Sequence, residues 1–135
     1  SILRLSSPIS APALSHRHPG KMTGDVRTLH GLLEASARGR PNALCLKYGS
    51  HKGYTYKDIQ EAMEQCARSV VLLKMPVVAL VADRSYGLVV GLLGILRAGK
   101  AYCPIEPDFP SSRAAIMFET AGIKDVLVPA GQAPD

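Results

Sequence analysis

Three consecutive segments constrain this chain more than anything else in it: VVALVAD (77–83), YGLVVGLLGILRAG (86–99) and AYCPI (101–105). The first is an unbroken apolar run of strand length, the pattern of a strand buried on both faces. The second follows Ser85, a good N-cap residue, and stops at Gly99, a good helix stop. It is apolar almost all round, so it is expected to be deeply buried. Gly87, Gly91 and Gly94 are small enough to admit a neighbouring backbone. The third segment is again a strand. A strand, a helix and a strand in that order build a parallel sheet with helices laid against it.

The flanking sequence continues the alternation. TLHGLLEASARG (28–39) begins with an N-cap Thr28 and ends with Gly39, which reads as a helix. ALCLKY (43–48) is a short strand, GSHKG turns it and YTY (54–56) returns. Thr55 and Asp58 then have the spacing of a capping box. Ile59, Met63, Cys66, Val70 and Leu73 follow at steps of three and four, one apolar stripe on a long helix that Pro76 closes. After AYCPI, Pro104, Pro107 and Pro110 stiffen the chain. Ser111 or Ser112 is expected to cap RAAIMFETA, Gly122 to end it, and DVLV (125–128) to form the last strand. The expected fold class is α/β, a mostly parallel sheet with helices on both faces.

Residues 1–25 are different. They are rich in Ser, Pro and Ala and hold no acid before Asp25. Arg4, Arg17 and Lys21 give residues 1–21 three of the five net positive charges of the 135-residue chain. A disordered leader or linker is expected. An organelle transit peptide over 1–21 and a true start at Met22 are alternatives. Both ends, Ser1 and PAGQAPD, read as cut, so 26–130 is expected to be part of a larger domain and 131–135 a truncated tail.

The remaining charge is nearly balanced and aromatic residues make up only 5% of the chain. That excludes the basic face and stacking platform of a nucleic-acid binder. No apolar run approaches the roughly 20 residues of a membrane span. Cys45, Cys66 and Cys103 are odd in number and widely spaced, which suits reduced thiols and a cytoplasmic protein. His16 and His18 lie in the Pro/Ser-rich leader and do not suggest a metal site.

One stretch imitates a nucleotide site. Gly94, four residues, Gly99 and Lys100 nearly spell a phosphate loop. Such a loop works where a glycine-rich turn leads into a helix N-terminus, whose free N–H groups face the anion. Here Gly94 lies within a helix, and Gly99 and Lys100 close its C-terminal end. Position 101 is Ala, which offers no hydroxyl to Mg²⁺. Lys100 is expected instead to cap that helix C-terminus. Asp83 and Arg84 follow a strand end, where α/β folds place ligands, but form no constellation. Glu106 and Asp108 lie among prolines and suggest a turn. Tyr54 and Tyr56 are expected to pack. No catalytic, cofactor-binding or metal residue is assigned.

LRAGKAYCPIEPDFPSSR (96–113) resembles the second core motif of adenylation domains, the acyl-adenylate-forming AMP-dependent synthetase/ligase superfamily, in its nonribosomal peptide synthetase branch. Leu96, Ala98, Gly99, Ala101, Tyr102, Pro104, Ile105, Pro107, Phe109, Pro110 and Arg113 fit that motif. LHGLLEASARGRPNALCL is similar to the opening helix, turn and strand of the family, YTYKDI to its next element, and DRSYGLVVGLLGILRAG to its first core motif. The resemblance covers about 27–128. YTYK with AYCPIEPDFP also resembles the beta-alanine-activating enzyme, a close relative. Departures are Lys100 for Gly, Cys103 for Val, Glu106 for Asp, and a CARSVVLLKMPVVALVAD segment whose usual Gly-rich loop is nearly gone.

The resemblance implies the start of the large N-terminal subdomain of an enzyme that joins an amino or carboxylic acid to ATP, with Mg²⁺. The adenylate then passes to a phosphopantetheine thiol on a carrier domain. The phosphate loop, nucleotide site and catalytic lysine of that family have no counterpart in this sequence. The expected partners are the rest of the adenylation domain, a carrier-protein domain and the acid substrate. Alone, the chain is expected to be inactive, to bind none of these cofactors, and to expose apolar faces and strand edges at a cost in solubility. A stand-alone α/β binding module, or a degenerate remnant without catalysis, is the alternative.

Overall fold

The computed structural model describes residues 2–4, 27–47, 50 and 53–129. Its centre is the parallel pair predicted by the three opening segments. Strand β4 (Val77–Val81) lies beside β5 (Ala101–Ile105), with Val77 opposite Ala101 and Val81 opposite Ile105. Strand β6 (Val126–Val128) pairs with the other side of β4, also parallel. A fourth strand, β1 (Ile2–Arg4), pairs parallel with the outer edge of β6, giving the order β1-β6-β4-β5. The linker expected over 1–25 is therefore corrected at these three residues. The rest of that segment, His16 and His18 included, lies outside the described residues. A separate antiparallel pair joins β2 (Leu44–Leu46) and β3 (Tyr54–Thr55).

Side chains alternate across the sheet as the strand period requires. On β4, Val78 and Leu80 enter the larger core and Ala79 the smaller one on the opposite face. The larger core is closed by α1 (Leu29–Gly39), α2 (Tyr56–Val70) and α3 (Tyr86–Arg97). The smaller holds Ala79, Ile105 and Ile123, with Phe118 of α4 (Ser111–Ala121) packed against them. Helices thus cover both faces, but unequally: no residue of α4 is buried.

The caps explain where the helices begin. Thr28 Oγ1 accepts from Gly31 N. Thr55 and Asp58 form the complete capping box, Thr55 Oγ1 accepting from Asp58 N and Asp58 Oδ2 from Thr55 N. Ser85 Oγ accepts from Leu88 N. Gly99 and Gly122 leave their helices at φ values of +76° and +64°, the left-handed region that glycine enters without a Cβ clash.

Three local expectations are revised. Neither Ser111 nor Ser112 caps α4. Pro110 occupies that position without a side-chain hydrogen bond, and its carbonyl accepts from Arg113 N and Ala114 N. Proline fixes φ near the helical value, so the turn starts without a hydroxyl. Helix α2 ends at Val70, before the expected stop, and residues 71–76 turn into β4. Helix α3 is buried only along Val90, Gly91, Gly94 and Ile95. Those residues lie against α2 and the sheet, and Leu88, Leu92 and Leu93 are half-buried.

Helices α2 and α3 come into close contact at Gly94. A Cβ placed there would lie 2.6 Å from Cys66 Cβ and 3.4 Å from the Ala67 nitrogen. The α2 stripe residues Ile59, Met63, Cys66 and Val70 fill the interface beneath. Gly94→Ala is expected to overpack this contact and cost about 1–3 kcal/mol. Gly39→Ala meets nothing within 4 Å and is expected to be neutral or mildly stabilising. Urea denaturation of the two variants checks the contrast.

Candidate functional site

In a parallel α/β sheet the carboxyl ends of the strands are the place for a ligand. Here β4 exits through Ala82–Ser85, β5 through Glu106–Pro110, and β6 through Pro129. Two of these exits are held together by a missing side chain. A Cβ on Gly87 would lie 2.6 Å from Pro129 Cβ, so the first turn of α3 rests directly on the chain leaving β6.

The chemistry-bearing residues at this edge are occupied by structure. Ser85 Oγ donates to Asp83 Oδ1 and accepts from Leu88 N, so its hydroxyl serves the helix cap. Arg84 is exposed. Glu106 and Asp108 are exposed on a turn closed by the bond from Phe109 N to the Glu106 carbonyl. They are not paired across a cleft. Arg113 lies over the Phe109 ring, 4.5 Å from its centroid, and fixes the same turn. Among the described residues no cluster of His, Cys, Asp and Glu has the arrangement of a metal site.

Beside this edge, Tyr54 and Tyr86 stack with ring centroids 4.1 Å apart. Burial first, then the neighbouring Tyr54 and Asp58, pushes the Tyr86 hydroxyl up to about 12. Tyr56 lies under Arg40, whose guanidinium is 5.1 Å from the ring centroid and donates to the hydroxyl at 3.5 Å. Both tyrosines singled out in the sequence therefore pack, as their positions suggested. Cys66 is buried and its thiol is pushed up to about 12 by that burial, far from a reactive thiolate. Cys45 and Cys103 are half-buried and free.

The near-miss phosphate loop lies at the opposite, amino end of β5. Gly99 and Lys100 follow the C-terminus of α3, and the Lys100 nitrogen donates to the Ile95 carbonyl. The Lys100 side chain does not cap α3, as the sequence suggested. Its Nζ donates to the Leu73 and Met75 carbonyls at 2.8 and 2.9 Å. It thus ties the 71–76 turn to the start of β5. Sequence reasoning noted both partners separately, as a Lys where Gly is usual and as a shortened loop, but had no means of joining them. It also missed the ion pair between Arg97 Nε and Glu34 Oε1 (2.8 Å), which links α3 to α1. Glu34 is buried, so this pair lies largely out of water.

The family model for AMP-binding enzyme matches residues 33–135. Bacitracin synthase 1 of Bacillus licheniformis is 36% identical over 112 residues, 81% of this chain and 2% of that protein. Surfactin synthase subunit 2 of Bacillus subtilis (strain 168) is 34% identical over 127 residues, 92% of this chain and 4% of that protein. The crystal structure of the nonribosomal peptide synthetase FmoA3 in its AMPPNP-bound form superposes with a TM-score of 0.68 at 25% identity. That match covers 75% of this chain and 11% of the synthetase chain. The chain belongs to the AMP-binding enzyme family, on the side of the nonribosomal peptide synthetases. It spans only a few per cent of the length of these curated relatives.

A nucleotide phosphate does not fit the residues that imitate its loop. The local helix presents carbonyls rather than N–H groups there, Lys100 already serves two carbonyls, and Arg97 is paired with Glu34.

Two outcomes are expected. Lys100→Met removes two charge-assisted hydrogen bonds and is expected to cost about 1.5–3 kcal/mol, with faster amide exchange confined first to residues 71–76. Tyr86 ionises later when folded than its ordinary value of 10, so its contribution is complete below about pH 10 and is lost as pH rises towards 12. Absorbance titration at 295 nm is expected to lose a late-ionising component in Tyr86→Phe.

Proposed function

We propose that this chain is the opening part of the large N-terminal subdomain of an ATP-dependent adenylating ligase. The parent activates an amino or carboxylic acid as an acyl-adenylate, with Mg²⁺, and passes it to a phosphopantetheine thiol on a carrier domain. One observation supports the reading above all: the family match runs through 33–135 and includes the Leu96–Arg113 motif. The structure gives that motif a physical role. It supplies the end of α3, the Gly99 stop, the edge strand β5 and the proline-stiffened exit. These are scaffold parts, which position a site without touching the reacting atoms.

In this reading the 135 residues contribute no catalytic, nucleotide-binding or metal-binding residue. Their partners are the remainder of the same adenylation domain and a carrier domain, in the cytoplasm. Among the described residues no helix is long and apolar enough to cross a membrane.

ATP–pyrophosphate exchange tests the reading. The isolated 135 residues are expected to give no exchange with any of the twenty amino acids. A protein carrying this segment as the start of a complete adenylation domain is expected to give exchange with one acid or a small set. Turnover by the isolated chain would overturn the proposal.

A further inference from the structure

Gly87 answers to a different constraint from Gly99 and Gly122. It lies in the first turn of α3 without a left-handed φ, so its backbone conformation would suit any side chain. Space is what excludes one. A Cβ at this position would lie 2.6 Å from Pro129 Cβ, 3.3 Å from Pro129 Cα and 3.5 Å from Pro129 Cγ. Carbon atoms in ordinary contact are about 3.5–4.0 Å apart. A flexible side chain could swing aside, but a proline ring is closed onto its own backbone and cannot. One of the two backbones would therefore have to move, by about 1 Å on that contact distance.

The helix is the better held of the two. Ser85 Oγ caps its start through Leu88 N. Tyr86 stacks on Tyr54. Further along, Gly94 lies against Cys66, and Arg97 pairs with Glu34. Pro129 follows the last residue of β6 and, as proline, has no N–H to give a neighbouring strand. Its ring is nevertheless fully buried. Packing against Gly87, rather than a sheet ladder, thus sets where the chain goes as it leaves β6.

We propose that Gly87 is a positioning residue. By presenting bare backbone to Pro129 it fixes the course of the chain leaving the carboxyl end of β6, on the edge where an α/β sheet places its ligand. It acts through Pro129 rather than on a reacting atom. That the ligands at this edge are ATP and the acid to be activated rests on the adenylating reading. The contact itself does not. A displacement of about 1 Å at such an edge is enough to cost a reaction on the order of a hundredfold.

The test is a mutant cycle read in two proteins. In the 135-residue chain, Gly87→Ala is expected to speed amide exchange at Leu127 and Val128 about tenfold or more, with Leu88, Met63 and Ile95 changed by less than about twofold. Combined with Pro129→Gly, which deletes the ring, the same substitution is expected to add less than about twofold. Combined with Pro129→Ala, which keeps the Cβ, it is expected to act as before. In a complete adenylation domain that opens with this segment, Gly87→Ala is expected to raise KM in ATP–pyrophosphate exchange about tenfold, and the Pro129→Gly background to abolish that rise. Lost stability lowers only the amount of active enzyme, and so kcat, whereas a displaced binding edge moves KM. Faster exchange at Leu88 with Leu127 and Val128 unchanged would put the movement in α3 and overturn the proposal. So would equal effects of Gly87→Ala in all three backgrounds, or an active domain with unaltered KM. If Gly87→Ala does not fold, recovery with Pro129→Gly but not with Pro129→Ala supports the contact, and failure of both refutes it. A complete domain that exchanges with no acid sinks the functional reading instead, and the amide measurements then decide the role of Gly87 alone.

Discussion

The contact on which the rest of the structure leans is the close approach of α2 and α3 at Gly94. Two helices can meet this near only where one of them has no Cβ. Cys66 fills the space, and its thiol is kept neutral by the same burial. With α2 and α3 fixed together, their apolar faces form one layer over Val78, Leu80 and Leu127. Helix α1 then adds to that layer through Leu33 and through the Glu34–Arg97 ion pair. The helix pair, the sheet face beneath it and the strand exits thus form one continuous packed unit.

The same geometry joins two features that the sequence presented separately. The connection from α2 to β4 is short, and its carbonyls at Leu73 and Met75 turn toward the end of α3. Lys100 supplies the donors those carbonyls need. Buried or half-buried carbonyls without partners are costly, so the 71–76 turn and the lysine form one local solution. What looked like a fragment of a phosphate loop is a structural clamp at the wrong end of a helix for any anion.

Much of this was legible in the sequence because it is local. Thr28, Thr55 with Asp58, and Ser85 are caps that act within one turn, and Gly99 and Gly122 stop helices by their own φ. The apolar stripe of α2 and the unbroken run of β4 reported their burial through period alone. Non-local pairing was not legible. Ile2–Arg4 pairs with Val126–Val128 from the far end of the chain, and three residues carry no period of their own. The acceptors of Lys100 and the Glu34–Arg97 pair likewise depend on how separate elements meet. At the candidate site the sequence was informative in a different way. The direction of the helix before Gly99 was enough to set aside the phosphate loop, and the capping duty of Ser85 explains why Asp83 forms no catalytic pair.

The two faces of the sheet are covered very unequally, with three packed helices on one side and on the other a helix that buries none of its residues. For a segment proposed to be scaffold, this asymmetry is the property that matters most. Native-state amide hydrogen exchange tests it most directly. The slowest amides are expected in α2, α3 and β4, around Met63, Ile95 and Leu80, with α4 exchanging markedly faster. Protection in α4 equal to that in α2, or free-peptide exchange rates at Met63 and Leu80, would contradict the account.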